Sequence, residues 1–260
     1  MEFEGLLEID KICKKHNIKY YLVGGTLLGA IRHKGFIPWD DDIDIAMLPK
    51  DYEKFCEVCK TDLDTERFFW QTQQTDPQYL FTYGRLRRNN TLFLREGQEH
   101  IKMHSGVFVD VFIWYNAPNN LLLARIYKFT LARLKTIMWS PIGAKSYHKT
   151  LKRLFYRLLS KIPRDFAYKC FLAIVSRVKE SDYYAEVGAP LYEKTPHIPS
   201  EYVSELCEVE FEGYRFWAPK NWHEYLTLKY GNYMTYPHPE DQVPSHSASK
   251  IELVGPFLHG

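Results

Sequence analysis

No uninterrupted apolar run in this 260-residue chain approaches the roughly 20 residues needed to cross a bilayer, so no transmembrane helix is expected. Cysteine is scarce. The five present (Cys13, Cys56, Cys59, Cys170 and Cys207) form no paired framework, which predicts reduced thiols and a cytoplasmic protein. Cys56 and Cys59 make a single C-x-x-C with no second pair, so a structural zinc site is not expected. Met1 is followed by Glu2 and Glu4 instead of a basic and then an apolar stretch, which predicts no signal peptide. Internal repeats, low-complexity segments and helix-turn-helix, zinc-finger or RNA-recognition signatures are lacking too. Nucleic acid is therefore not an expected partner. Neither sign of charge dominates, with 34 Lys/Arg against 32 Asp/Glu. What the chain does hold is aromatic: 19 Tyr, 16 Phe and 6 Trp, enough for a sizeable core and against disorder.

The most informative stretch is residues 24–45. Tyr20 to Val23 read as a strand entering Gly24 and Gly25, with a short helix from Thr26. A second strand then carries Asp42 and Asp44 two positions apart, which puts both carboxylates on one face and Ile43 and Ile45 on the other. A glycine turn or an acidic run alone is commonly just a turn or a solvated loop. Alternation of acids with buried isoleucines has no place in an exposed loop. Two adjacent carboxylates repel unless a cation separates them, and hard divalent ions suit them. A glycine turn at a helix N-terminus offers bare N–H groups to a phosphate, here from Gly24, Gly25 and Thr26. Together these features point to phosphoryl transfer.

Further along, Val107, Val109, Val111 and Ile113 alternate with Phe108, Asp110, Phe112 and Trp114 in a strand-favouring run holding one acid. Unpaired, that acid would cost several kcal/mol, so it needs a partner: either a metal or a core arginine. Arg85 and Arg87 project to one face of a strand and offer guanidinium forks for phosphate oxygens, as does Arg32 at the end of the first short helix. His104 and His246 are weaker candidates.

The pattern Gly24-Gly25-Thr26, then Asp42-x-Asp44, then Asp110 in Gly106–Phe112 resembles the LicD family, whose members attach phosphocholine or related phospho-alcohols to glycans. Phe211-Glu212-Gly213, Tyr225-Leu226, Tyr230-Gly231-Asn232-Tyr233-Met234, Pro239 and His246 extend the resemblance to the C-terminal part. The chain departs from the family pattern at Ile113-Trp114-Tyr115, where a proline and an acid are common, and at Gln242 and Val243, where a basic residue is. The resemblance implies an α+β nucleotidyltransferase-like core with a small mixed sheet. It also implies a donor resembling CDP-choline, CMP as leaving group and a glycan acceptor, lipid-linked in some cases. On that reading Asp42, Asp44 and Asp110 hold Mg²⁺ or Mn²⁺, two ions in all, and Asp110 takes the proton of the attacking hydroxyl. Gly25, Thr26, Arg85 and Arg87 neutralise the transferring group. The alternatives are a nucleotidyltransferase releasing pyrophosphate and a non-catalytic membrane-surface scaffold.

Charge is unevenly spread. Residues 120–180 contain 14 Lys/Arg and two acids, Asp165 and Glu180, a local balance of +12. Helical spacing puts Leu151, Leu154, Phe155, Leu158 and Ile162 on a face expected to pack, opposite Arg153, Arg157 and Lys161. Likewise Leu123, Ile126, Leu134 and Ile137 lie opposite Arg125, Lys128 and Lys135. Pro141, Gly143, Pro163 and Pro190 are expected to punctuate this region. A basic face of this strength suits an anionic membrane, here the inner face of the plasma membrane. The expected organisation is a core with the metal site over 1–119, a basic helical insertion over 120–200, and a C-terminal part over 201–260. That last part is expected to hold a strand near Glu210 to Phe216, a helix from Lys220 to Tyr230 and a Pro-rich tail covering the site.

Overall fold

The computed structural model describes residues 1–147, 150–186, 197–244 and 246–253; Pro190 lies outside the described residues. The architecture is α+β. Among the described residues the helices are α1 (Glu2–His16), α2 (Gly24–Arg32), α3 (Pro49–Asp62), α4 (Leu121–Ser146), α5 (Thr150–Leu159), α6 (Arg164–Val175) and α7 (Trp222–Tyr230). The strands are β1 (Tyr21–Leu22), β2 (Asp44–Met47), β3 (Phe68–Gln71), β4 (Gly84–Arg88), β5 (Leu92–Arg95), β6 (Phe108–Asn116), β7 (Tyr183–Glu186), β8 (Ile198–Pro199), β9 (Leu206–Phe211), β10 (Tyr214–Pro219) and β11 (Ala248–Glu252).

The main sheet runs β1-β2-β6-β4-β3, with β2 and β6 parallel and its other neighbours antiparallel. β6 is its centre, and Phe108 to Trp114 are buried without a break, as expected of a strand covered on both faces. One face is apolar: Val109, Leu86 and Trp70 sit in register and meet α1, where a side chain on Gly5 would touch Val109 at 3.0 Å. Phe55 of α3 packs edge-on against Trp70, ring centroids 5.1 Å apart. The other face carries Asp44, Asp110, Arg85 and Gln71 in a single row across β2, β6, β4 and β3. Register alone therefore assembles the polar row.

The C-terminal part is a hairpin where one strand is expected. β9 and β10 are joined by Glu212 and Gly213, both at positive φ (50° and 78°), the backbone of a two-residue turn whose twist matches the strands. β11 pairs with β5, setting Ala248 opposite Arg95 and leaving His246 beside the polar row.

The basic region differs from expectation in two ways. α4 runs unbroken through Pro141 and Gly143. Proline cannot donate to the carbonyl four residues back, and here the Ser140 hydroxyl donates to Ile137 O at 2.6 Å in its place. The apolar faces are also turned. In α4 the buried residues include Ala124, Tyr127, Leu131 and Met138, with Tyr127 and Leu131 packing on Phe171 and Val175 of α6, while Leu123 and Ile126 are exposed. In α5 nothing is buried, and Leu151 is 81% exposed. That helix instead turns Tyr156 toward α4, its ring 5.6 Å from that of Trp139. β7 then returns to pair with the end of β6, so the region is tied back into the main sheet.

Candidate functional site

The loop before β2 and the row behind it bring Asp40, Asp41, Asp42, Asp44 and Asp110 together. β2 begins at Asp44, so Asp42 precedes the strand; the Asp110 N–H already donates to Ile43 O at 2.9 Å, holding the approach. Thr26 fixes the other side, its hydroxyl accepting from the Asp44 N–H at 2.8 Å. α2 begins at Gly24, earlier than expected, and both glycines sit against carboxylates. Gly24 has φ +57°, and a Cβ there would lie 3.0 Å from Asp44 Oδ2; a Cβ on Gly25 would overlap Asp40 Oδ2. The Gly24 N–H donates to the Tyr225 hydroxyl at 3.4 Å.

The acids are electrostatically stressed. Burial, then Asp40 and Asp110, push the Asp42 carboxyl up to about 8. Burial, then Asp42 and Asp110, raise Asp44 well above the carboxylate range, and Lys229 relieves it only in part. Glu2 is pushed to about 7 by burial and by Asp41 and Asp40. Asp44 Oδ1 is enclosed with no hydrogen-bond partner among the described residues.

Asp110 has the partner its setting demands. Arg85 Nε donates to Asp110 Oδ1 and Arg85 Nη2 to Oδ2 at 3.0 Å, with the Tyr83 hydroxyl 3.3 Å from Oδ2. Arg85 is fully buried, its guanidinium 4.2 Å from the Phe108 ring centre, and its Nη1 has no partner among the described residues. Arg87 does share the face of Arg85, but it is buried and committed: Nε donates to Gln71 Oε1 at 2.7 Å and Nη1 to Gly106 O at 2.6 Å. Arg85 thus reaches the site only through Asp110, and Arg87 braces the sheet. Arg32 donates to Tyr233 O at 3.0 Å and lies 4.6 Å over the Tyr236 ring, tying α2 to the C-terminal part. His104 accepts the Gly106 N–H through Nδ1 and is held below its usual value, at about 4, by burial and Arg87.

Three residues outside the main expectation complete the site. His246 Nδ1 lies 3.3 Å from both Asp41 Oδ1 and Asp42 Oδ2 without an aligned hydrogen bond, and its backbone N–H donates to Asp41 Oδ2 at 3.2 Å. Burial and Arg95 lower it to about 4, so the ring is neutral and able to bind a metal. Asp41, Asp42 and His246 each offer a donor atom within 4.8 Å of the others, a tighter group than Asp42, Asp44 and Asp110, because the Asp110 carboxylate is turned into Arg85. Arg95 is half-buried and close enough to feel Asp110 and Asp42, and burial and Arg85 lower its value. No hydrogen bond or ion pair engages its side chain among the described residues. The signal for His246 was its place in the C-terminal pattern; for Arg95, which is 53 residues from Asp42 in sequence, only the β5–β11 pairing shows it.

Residues 17–122 match the family model for the LicD/FKTN/FKRP nucleotidyltransferase domain. The chain is 31% identical over 245 residues to the lipopolysaccharide cholinephosphotransferase LicD of Haemophilus influenzae, covering 90% of this chain and 89% of that protein. It is also 37% identical over 59 residues to the human ribitol 5-phosphate transferase FKRP, covering 21% of this chain and 12% of that one. The polar row and the acidic loop both fall inside the matched domain, and His246 lies outside it. This chain belongs to the LicD family.

Proposed function

We propose that this protein is a phosphotransferase that moves a phospho-alcohol group from a nucleotide-activated, CDP-choline-like donor to a glycan hydroxyl. The observation that carries the proposal is the row Asp44–Asp110–Arg85 in register across three strands, beside an acidic loop with an orphaned carboxylate oxygen. Relatives named as a cholinephosphotransferase and a ribitol phosphate transferase support the reaction class.

Asp41, Asp42 and His246, with Asp44 beside them, fit Mg²⁺ or Mn²⁺: an oxygen-rich set with one neutral imidazole, in which the Asp42 and Asp44 carboxyls are hard to ionise without a cation. When bound, such an ion supplies Lewis-acid stabilisation of the phosphoryl oxygens. The chain's own residues do the rest. Asp110 is oriented by Arg85 through two hydrogen bonds, and a second lone pair on Oδ1 accepts the proton of the attacking glycan hydroxyl. That oxygen forms the new bond to phosphorus as the bond to the CMP oxygen breaks. Arg95, held by no hydrogen bond among the described residues, meets the negative charge of the donor pyrophosphate. A cytoplasmic setting at the inner face of the plasma membrane belongs to the same reading, supported by five free cysteines.

The test is incubation with a panel of CDP-alcohols (choline, ethanolamine, glycerol, ribitol) and a soluble glycan acceptor, with and without Mg²⁺ or Mn²⁺. Metal-dependent release of CMP with one donor is expected. Release of pyrophosphate from CTP, with no CMP from any CDP-alcohol, would overturn the reading in favour of nucleotidyl transfer.

A further inference from the structure

Helix α5 is amphipathic in an inverted sense: its apolar stripe faces solvent. Leu151, Leu154, Phe155 and Leu158 are 81%, 52%, 49% and 56% exposed, although they fall at i, i+3, i+4 and i+7 on one face. At about 100° of turn per residue, Lys152 and Arg157 flank that stripe at about 110° to either side of its centre. Both are exposed, and Lys152 lies 5.2 Å over the Tyr147 ring. The neighbouring α4 repeats the arrangement, with Leu122, Ile126 and Phe129 exposed at 67%, 53% and 63% along one stripe, and Arg125 and Arg133 exposed next to it.

A soluble surface rarely leaves so many large apolar side chains on one helix face without a partner. The charge around this face narrows what the partner is. Residues 120–180 carry 14 bases against two acids, whereas the rest of the chain is acidic by 10 charges. An apolar stripe flanked by bases matches the interface of an anionic bilayer, in which acyl chains take the leucines and phenylalanine while phosphates take the lysine and arginine heads. No helix among the described residues is long and apolar enough to cross a membrane, so the contact lies in the plane of the surface. We infer that α5, assisted by the outer stripe of α4, inserts its apolar face into the interfacial layer of an anionic membrane. This differs from adsorption through a basic face: the leucines and phenylalanine supply insertion, and the bases supply selectivity for negative lipid.

The experiment is flotation of the full chain with vesicles of phosphatidylcholine containing phosphatidylglycerol, against phosphatidylcholine alone. Wild-type protein should float with the anionic vesicles and much less with the neutral ones. Leu154→Gln, Phe155→Gln and Leu158→Gln combined should weaken anionic binding by about tenfold for each side chain removed. Since these residues are exposed, circular dichroism and melting temperature should not change. Lys152→Glu with Arg157→Glu, which takes the 120–180 balance from +12 to +8, should reduce the preference for anionic lipid. Three results would overturn the inference: wild-type protein that stays in solution, triple-variant binding equal to wild type, or a lipid-free dimer that the triple substitution dissolves. The last would assign the face to a second copy of the chain.

Discussion

Replacing Asp42 with asparagine should make the metal-free protein more stable, and the size of the gain follows from the geometry of the acidic loop. The folded protein holds the Asp42 carboxyl protonated up to about 8 because burial, Asp40 and Asp110 all oppose its charge. In the unfolded chain the same group releases its proton near 3.8. Between those values the folded state binds a proton that the unfolded state has lost, so stability falls as pH rises through the window. At pH 7 the distance from 3.8, at about 1.4 kcal/mol per unit, sets a ceiling of about 4 kcal/mol. Asp44 and Asp40 share the same repulsion, so about half of that belongs to Asp42 alone. For a chain of this size, about 2 kcal/mol corresponds to about 4–8 °C in Tm.

The assay is thermal unfolding by circular dichroism in EDTA, from pH 5 to 8.5, on wild type and Asp42→Asn. The variant should melt higher, with a gap that opens as pH rises from about 4 and levels off near 8. Adding Mg²⁺ or Mn²⁺ should then stabilise wild type by about 2.7 kcal/mol at a hundredfold excess over Kd, and the variant far less. A variant that melts lower than wild type in EDTA, or that gains as much from metal, would refute both the repulsion and the ligand role.

Asp110→Asn should reduce turnover at least about 100-fold and also cost about 3–5 kcal/mol, because Arg85 is left buried and unpaired. Asp110→Leu with Arg85→Met should recover most of that stability and none of the activity, read by melting and CMP release; recovered activity would reduce Asp110 to a structural role. Asp44→Asn should keep the fold and abolish turnover, and activity within tenfold of wild type would defeat its assignment. Arg95→Ala should raise KM for the CDP-alcohol about tenfold or more with little change in Tm, since no hydrogen bond or ion pair holds that guanidinium among the described residues; unchanged KM would remove it from the donor site. His246→Ala should weaken metal stabilisation in the melting assay, while His104→Ala, whose ring braces Gly106 and Asn89 and stacks on Phe69, should not.

How much of this was legible in sequence depends on how local each signal is. The alternation of Ile43 and Ile45 with Asp42 and Asp44, and the lone acid at Asp110, report on a sheet with one polar face, and the row across β2 and β6 follows from them. Arg85 and Arg87 were legible as a pair on one face, but not as buried. Burial is set by Phe108 and Gln71, which reach them from neighbouring strands. The turn at Glu212 and Gly213 hid inside what reads as a single strand, because positive φ at a glutamate leaves no compositional trace. Periodicity gave helices with the right spacing, but the wrong buried side in α5 and in the first turns of α4, where Leu123 and Ile126 are exposed while Leu134 packs. A helical pattern says that two faces differ; which one packs is decided by the neighbour, here Trp139 and Tyr156 between α4 and α5.

The glycine pair shows the same limit at the level of the site. In sequence, Gly24 and Gly25 before a helix suggest bare amides for a phosphate. In the fold each glycine has a carboxylate where its side chain would be: Asp44 against Gly24 and Asp40 against Gly25. The Gly24 amide faces Tyr225 and the Thr26 hydroxyl is taken by the backbone of Asp44. Glycine is needed there so that two acids can approach the helix start, whose positive dipole end offsets some of their repulsion. The offset is incomplete, since Asp42 and Asp44 remain far above the ordinary carboxylate range. An Ala at position 25 would therefore displace Asp40 and spread the acids, relaxing the repulsion and loosening the cluster in the same step. Gly25→Ala should thus raise the EDTA melting temperature less than Asp42→Asn does, because the helix start must also shift, yet it should lower metal stabilisation nearly as far. Metal stabilisation equal to wild type in Gly25→Ala would show that Asp40 has no part in bringing the carboxylates together.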